Sequence, residues 1–447
     1  MGISARADED AAARTPQKLI AYANSNDRYR LFNDVSVPFP DLEDNIHPVF
    51  RRSNFRNVGF SLYQKIRPSL RLASLFLESE AMLGWFIRPA FGTPIPASQS
   101  RKVFLTEPKR SRQRTAEMIR EIRSLLIGLS YSVEFHFVEE LKCFALTCKD
   151  TSKETSYLAK FWSPVFTSAH PTTIKLRDTN REFIEYDYSS SSLCDRLRFD
   201  FMFATTILHE LTHAFGIMIR GNLREPYYDL TDPQAEFGWS WERFALTGII
   251  NPFDRTSARV SFLMWKVWLD DDEAYANGGK EWTAVPVQWV SQWFQKSTWD
   301  AIAEYGPEAV APPSCDLKLH CTRDGLYTVL SDNEEVLRDV LELKSEALAA
   351  HRSTLPGTKP SSLMSVRTIK TNNKTHPTFA QETIARRLVS VSSRASRALD
   401  QAGLTLGAMP PLLHGTALKR RREGSAGDAD SDDGVNSPHS RWKRPRV

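Results

Sequence analysis

Residues 206–216 read Thr-Ile-Leu-His-Glu-Leu-Thr-His-Ala-Phe-Gly, and the decisive part is His209-Glu210-Leu211-Thr212-His213. On an α-helix, positions four apart lie on one face about one turn apart, so both imidazoles can reach a single cation. Glu210 falls to the side of that pair, where its carboxylate can take a proton from a water polarised by the metal. The pattern supplies two ligands and a base. A zinc ion that does chemistry wants three protein ligands and one open position, so a third ligand has to come from elsewhere in the chain. With 10 histidines in 447 residues, this spacing arises by chance in roughly one chain in a hundred. The immediate flanks, Thr206-Ile207-Leu208 and Ala214-Phe215, are uncharged, as a helix buried against a sheet requires.

The window resembles the zincin metallopeptidases. Their extended pattern asks for Thr or Val three residues before the first histidine, uncharged residues around the pair and an apolar residue two after the second. Thr206, Ile207, Leu211, Thr212, Ala214 and Phe215 all meet it. The resemblance implies an α+β fold with a zincin-like catalytic domain, a mixed sheet plus an active-site helix. It also implies Zn2+ on His209 and His213, Glu210 as general base, and a peptide or protein substrate. The likeness is tight over about a dozen residues and, by element order alone, extends loosely over 115–250.

Three branches of that group differ in the third ligand. The metzincin pattern finds Gly216 in place but Ile219 where its third histidine belongs, and the Asp-bearing segment of the deuterolysin-like enzymes is missing. Gluzincins take a glutamate from a second helix some twenty residues on. Asp232-Pro233-Gln234-Ala235-Glu236 reads as such a helix start, with Asp232 as N-cap and Pro233 in the first turn. Glu236 is the favoured ligand, with Glu242 and Asp232 as alternatives. On one helix Glu236 and Glu242 are turned about 120° apart, so only one can face the metal. Gluzincins often place an acidic residue four after the ligand, where this chain has Ser240. Tyr227, Tyr228 and Tyr186 are candidates for polarising a scissile carbonyl.

Working outward, a helix is expected from about Arg114 to Leu129, then strands at Val133–Val138, Cys143–Leu146, Thr172–Leu176 and Phe183–Tyr186. The metal helix should run from about Arg196 to Ile219, closed by Gly221. In the family the strand along the cleft pairs with an extended peptide, which makes Thr172–Leu176 or Phe183–Tyr186 the expected substrate edge. Upstream, Ser61–Trp85 carries one or two helices, with Pro68 near a start or kink. Downstream, eight tryptophans fall between Trp239 and Trp299, with Trp289, Val290, Trp293 and Phe294 at helical spacing. The expected organisation is an N-terminal arm and helices over 1–100, the zincin-like domain over 101–250, a helical Trp-rich region over 251–353 and a largely disordered basic tail over 354–447. The C-terminal half is thus expected to be mainly helical.

A net charge of +4 in 447 residues supports no strong claim for nucleic acid or membranes. No apolar leader is visible, and no stretch is expected to span a membrane. The five cysteines are expected to be reduced thiols in an intracellular protein. Lys419-Arg420-Arg421-Arg422 and Arg441-Trp442-Lys443-Arg444-Pro445-Arg446 resemble nuclear localisation signals, which would bring an import receptor as partner and a nuclear location. Nucleic acid is left open, because the spacer with Asp428, Asp430, Asp432 and Asp433 is acidic.

The leading reading is a zinc-dependent peptidase. Its rivals are a catalytically inactive zincin-fold binding or regulatory module, and a nuclear SprT-like protease acting on DNA-bound proteins. The latter family takes a histidine as third ligand, and the next histidine after His213 is His320.

Overall fold

The computed structural model describes residues 16–98, 100–109, 111–139, 141, 143–152, 165–168, 170–252, 260–268, 270–354 and 366–370. The basic clusters of the tail lie outside them. The chain is a mixed α+β protein.

Helix α1 (Phe60–Glu78) buries Leu62, Ile66, Leu70, Ala73 and Leu77, a helical stripe, and Pro68 sits inside it rather than at its start. Helix α2 (Arg112–Leu129) is capped by Ser111, whose hydroxyl accepts from the Arg114 N–H at 3.1 Å. Around these lie β1 (Phe55–Arg56), the β2–β3 hairpin (Pro94–Pro96, Val103–Leu105), β4 (Val133–Val138), β5 (Ala145–Lys149) and β6 (Thr172–Arg177). The sheet order is β1-β4-β6-β5, parallel except that β5 runs antiparallel to β6. Phe135 pairs with Ile174 in register, and both face the main core.

Helix α3 (Leu193–Arg220) starts at Ser192, which accepts from the Asp195 N–H, and stops at Gly221, whose φ of 72° is the left-handed region that favours glycine. It packs against α1, β5, β6 and the short helix α4 (Phe237–Leu246). By length and composition α3 could cross a membrane, against the expectation from sequence. However, 78% of its most apolar window is buried inside the fold, so its apolar surface is already used as core.

Several expectations need correction. Phe183–Tyr186 is no strand: Phe183–Asp187 forms a π-helical turn. Phe183, Ile184 and Tyr188 are buried together, a helical spacing that adjacent apolar residues disguised as alternation. The strand expected at Cys143 begins at Ala145. Thr172–Leu176 lies inside the sheet; among the described residues its edges are the two-residue β1 and, beside β6, β5. No helix starts at Asp232, because Asp229 Oδ1 accepts from the N–H groups of Thr231 and Asp232 and folds that segment into a turn. Helix α4 starts at Phe237, with Glu236 as its N-cap.

The C-terminal half carries a sheet beside its helices, which the sequence did not lead one to expect. It builds a six-stranded sheet, in the order β12-β11-β10-β9-β8-β7, from β7 (Ile249–Pro252), β8 (Leu263–Lys266), β9 (Lys280–Val285), β10 (Lys318–Cys321), β11 (Tyr327–Ser331) and β12 (Val366–Lys370). Its strands are short, interrupted by charge and paired over long sequence separations, so no helical or strand period dominates. Strand β12 lies within the segment expected to be disordered. The tryptophan run does form helix α5 (Val287–Gln292) and the turn after it, where Val290 and Trp293 are buried. Leu19, Ile20 and Leu31 of the N-terminal arm join Met264, Leu319 and Val329 of this sheet and Val336 and Val340 of helix α6 (Glu334–Thr354) in a second core. The five cysteines form no disulfide.

Candidate metal centre

Between Leu197 and Met218 every residue of α3 is buried except Thr206, His209 and His213. These fall at intervals of three and four, on one stripe of the helix. The two imidazoles therefore point out of the core together, with ring centroids 5.1 Å apart.

Glu236 meets them. Its Oε1 lies 3.0 Å from His209 Nε2 and 2.8 Å from His213 Nε2. As N-cap, Glu236 also accepts the Trp239 N–H on Oε2, which fixes the carboxylate at the helix terminus. Glu242 reaches the same histidine from the other side, with Oε1 2.7 Å from His209 Nδ1. The two glutamates thus do not compete for one face. Glu236 projects from the non-helical cap and Glu242 from the helix, so the two are not related by the helical turn of about 120°. Asp232 comes to neither imidazole; its Oδ2 accepts the Tyr228 N–H at 3.1 Å, and it pairs with Arg243.

His213 has its own carboxylate, one the sequence reading missed. Glu225 Oε1 lies 2.9 Å from His213 Nδ1, while its Oε2 accepts the Phe237 N–H at 2.7 Å. A carboxylate on Nδ1 of each ring fixes a proton there and leaves Nε2 as the nitrogen that a cation could take, the arrangement that supports metal-ligating histidines. Nε2 of both rings then faces Glu236 Oε1.

The donor atoms of His209, His213 and Glu236 all lie within 4.8 Å of one another, and they are the one such group among the described residues. Two imidazole nitrogens and a carboxylate oxygen suit zinc, whose bonds of about 2.0–2.1 Å place tetrahedral donors about 3.3 Å apart. The oxygen would have to withdraw from the nitrogens by only a few tenths of an ångström. These residues could hold a metal ion.

The electrostatics agree. Burial pushes His209 and His213 down, but the surrounding carboxylates outweigh it. His209 ends well above its ordinary value through Glu236 and Glu242, and His213 is raised to about 9 through Glu225 and Glu236. For Glu236 burial pushes upward, yet the two imidazoles hold it well below the usual carboxylate range. In Glu242 burial prevails and its carboxyl is raised. The cluster is a set of bases that compete for protons, and a cation binding there displaces them.

Glu210 is buried on the flank of α3 facing β5. Its Oε2 accepts a hydrogen bond from Thr147 Oγ1 at 2.7 Å, and the same hydroxyl lies 2.9 Å from the Glu210 carbonyl. Of the carbonyl-polarising candidates, Tyr228 donates to the Trp85 carbonyl and stacks on its ring. Tyr227 pairs its backbone with β3 beneath Lys102, and Tyr186 is exposed on the π-helical turn. Beside Glu236, a cavity of about 10 Å³ lined by Trp239, Ser240, Arg243 and Ile249 is barely large enough for one water.

No model of a known protein family, no curated protein and no solved structure matches this chain.

Proposed function

We propose that the chain is a zinc-dependent peptidase of gluzincin type, in which His209, His213 and Glu236 hold the metal. The observation that carries this reading is the position of Glu236 Oε1 within 3.0 Å of both Nε2 atoms while both Nδ1 atoms rest on carboxylates. Bound there, Zn2+ supplies a Lewis acid for a peptide carbonyl and for the attacking water. Glu210 takes the proton from that water and delivers it to the departing amine. Thr147 keeps the Glu210 carboxylate in one orientation. Glu242 and Glu225 keep the imidazoles in theirs.

The sheet supports the same reading. Strand β5 is the antiparallel edge among the described residues, carries Thr147 beside Glu210 and exposes Leu146 on its other face. An extended peptide adding to that edge would be held by backbone hydrogen bonds and would pass the base. The substrate edge is thus assigned to Ala145–Lys149. A carboxylate at the third position, rather than an imidazole, favours this reading over the SprT-like one.

The test is Glu210→Gln in the full chain. The native protein is expected to cleave unstructured peptides while the variant keeps its zinc and loses activity about 10²–10⁴-fold. A native protein that binds zinc but cleaves no peptide would instead favour the binding-module reading.

A further inference from the structure

Glu225 stands on the segment that links α3 to α4. Its two oxygens end on the two halves of the proposed ligand set: Oε1 on the Nδ1 of His213, and Oε2 on the backbone N–H of Phe237, the residue after Glu236. The side chain is 8% exposed. We propose that Glu225 is a positioning residue, a clamp that sets the separation between the histidine pair on α3 and the third ligand at the start of α4. The inference rests on the metal-binding part of the reading above.

Three further contacts fit a clamp. Arg220, on the last turn of α3, lies with its guanidinium 4.6 Å from the Phe237 ring centroid and 3.8 Å from Glu225 Oε1. It therefore touches Glu225 itself and one of the two residues that Glu225 joins, and offsets the buried negative charge. Arg220 also donates through Nε to the Arg224 carbonyl at 3.3 Å, which ties down the residue before Glu225. Gly216 makes room for it, since a Cβ there would stand 2.6 Å from Arg220 Nη2.

The chemistry demands a carboxylate. Both partners of Glu225 are donors, so both oxygens have to accept. A glutamine can accept with one end only and must turn its NH₂ toward either the imidazole N–H or the Phe237 N–H. Breaking either half frees one part of the ligand set from the other. Loss of an outer partner of this kind weakens metal binding about 10–100-fold.

The test compares the full-length native chain, Glu225→Gln and His209→Ala/His213→Ala. Zinc affinity is read by competition with a chromophoric chelator, and geometry by the visible spectrum of the Co2+ form. The clamp predicts that Glu225→Gln binds zinc at least tenfold more weakly than the native chain and shifts the Co2+ bands. Equal affinity with an unchanged spectrum would overturn the clamp and leave the metal site standing. Native affinity no better than that of the double-alanine chain would overturn both. Should Glu225→Gln fail to fold, Glu225→Asp takes its place; it keeps the charge but is one methylene too short to span both donors, and the same outcomes decide.

Discussion

Gly238 packs flat against the ring of His209: a Cβ at position 238 would stand 2.4 Å from Cδ2, Cε1 and Nε2 of the imidazole. No side chain fits there without moving the ring, and His209 cannot move without leaving Glu236 and Glu242. Gly238→Ala is therefore expected to weaken zinc binding at least tenfold, read by chelator competition. It should also destabilise the metal-free chain by about 1–3 kcal/mol, the usual cost of overpacking, read by denaturant unfolding. Unchanged affinity would mean that the ring is not held where this contact puts it.

Thr147 offers a second handle. Its hydroxyl is 2.7 Å from Glu210 Oε2, and a hydrogen bond to a charged group is worth about 1.5–3 kcal/mol. Thr147→Val should lower kcat at least tenfold with KM and zinc content unchanged, and Thr147→Ser should restore it. A change in KM alone would place Thr147 in peptide binding instead.

A pH dependence follows from Asp200, more than two turns along α3 from His209 and His213. Burial pushes its carboxyl up to about 7 against the hydroxyls of Ser69 and Tyr188, which donate to it at 2.6 and 2.7 Å. The unfolded chain releases this proton near 3.8, so its contribution to stability is full below that value, falls as pH rises and is gone above about 7. Between pH 5 and pH 8 the metal-free native chain should lose roughly 2–3 kcal/mol relative to Asp200→Asn. Parallel unfolding curves for the two proteins at both pH values would contradict this.

The helix and the pair of histidines on its outward face are legible in the sequence because a four-residue spacing is a local property. Glu236 does meet the two imidazoles, but from the N-cap of its helix rather than from within it, which no helical spacing predicts. Glu242 left a signal that went unused: it shares the apolar stripe of Phe237, Trp241, Ala245 and Leu246, and a carboxylate there needs a buried partner. Glu225 left none, because its role depends on how the segment after Gly221 returns. The six-stranded sheet was hidden for a related reason, with β9 and β10 pairing Thr283 to Lys318 across two intervening helices and loops.

Metal removal should show in stability. At free zinc about a hundredfold above Kd, binding adds roughly 2.7 kcal/mol to the folded state. Chelator is therefore expected to lower the melting midpoint of the native chain and to leave His209→Ala/His213→Ala unaffected. A native midpoint indifferent to chelator would argue against a metal that binds the folded chain.

The most direct test is the zinc content of the purified full-length chain by elemental mass spectrometry, with Glu210→Gln, Glu236→Ala and His209→Ala/His213→Ala measured beside it. One zinc per chain is expected in the native protein and in Glu210→Gln, with a marked loss in the other two. Zinc absent from the native protein, or retained equally when Glu236 and both histidines are replaced, would contradict the account.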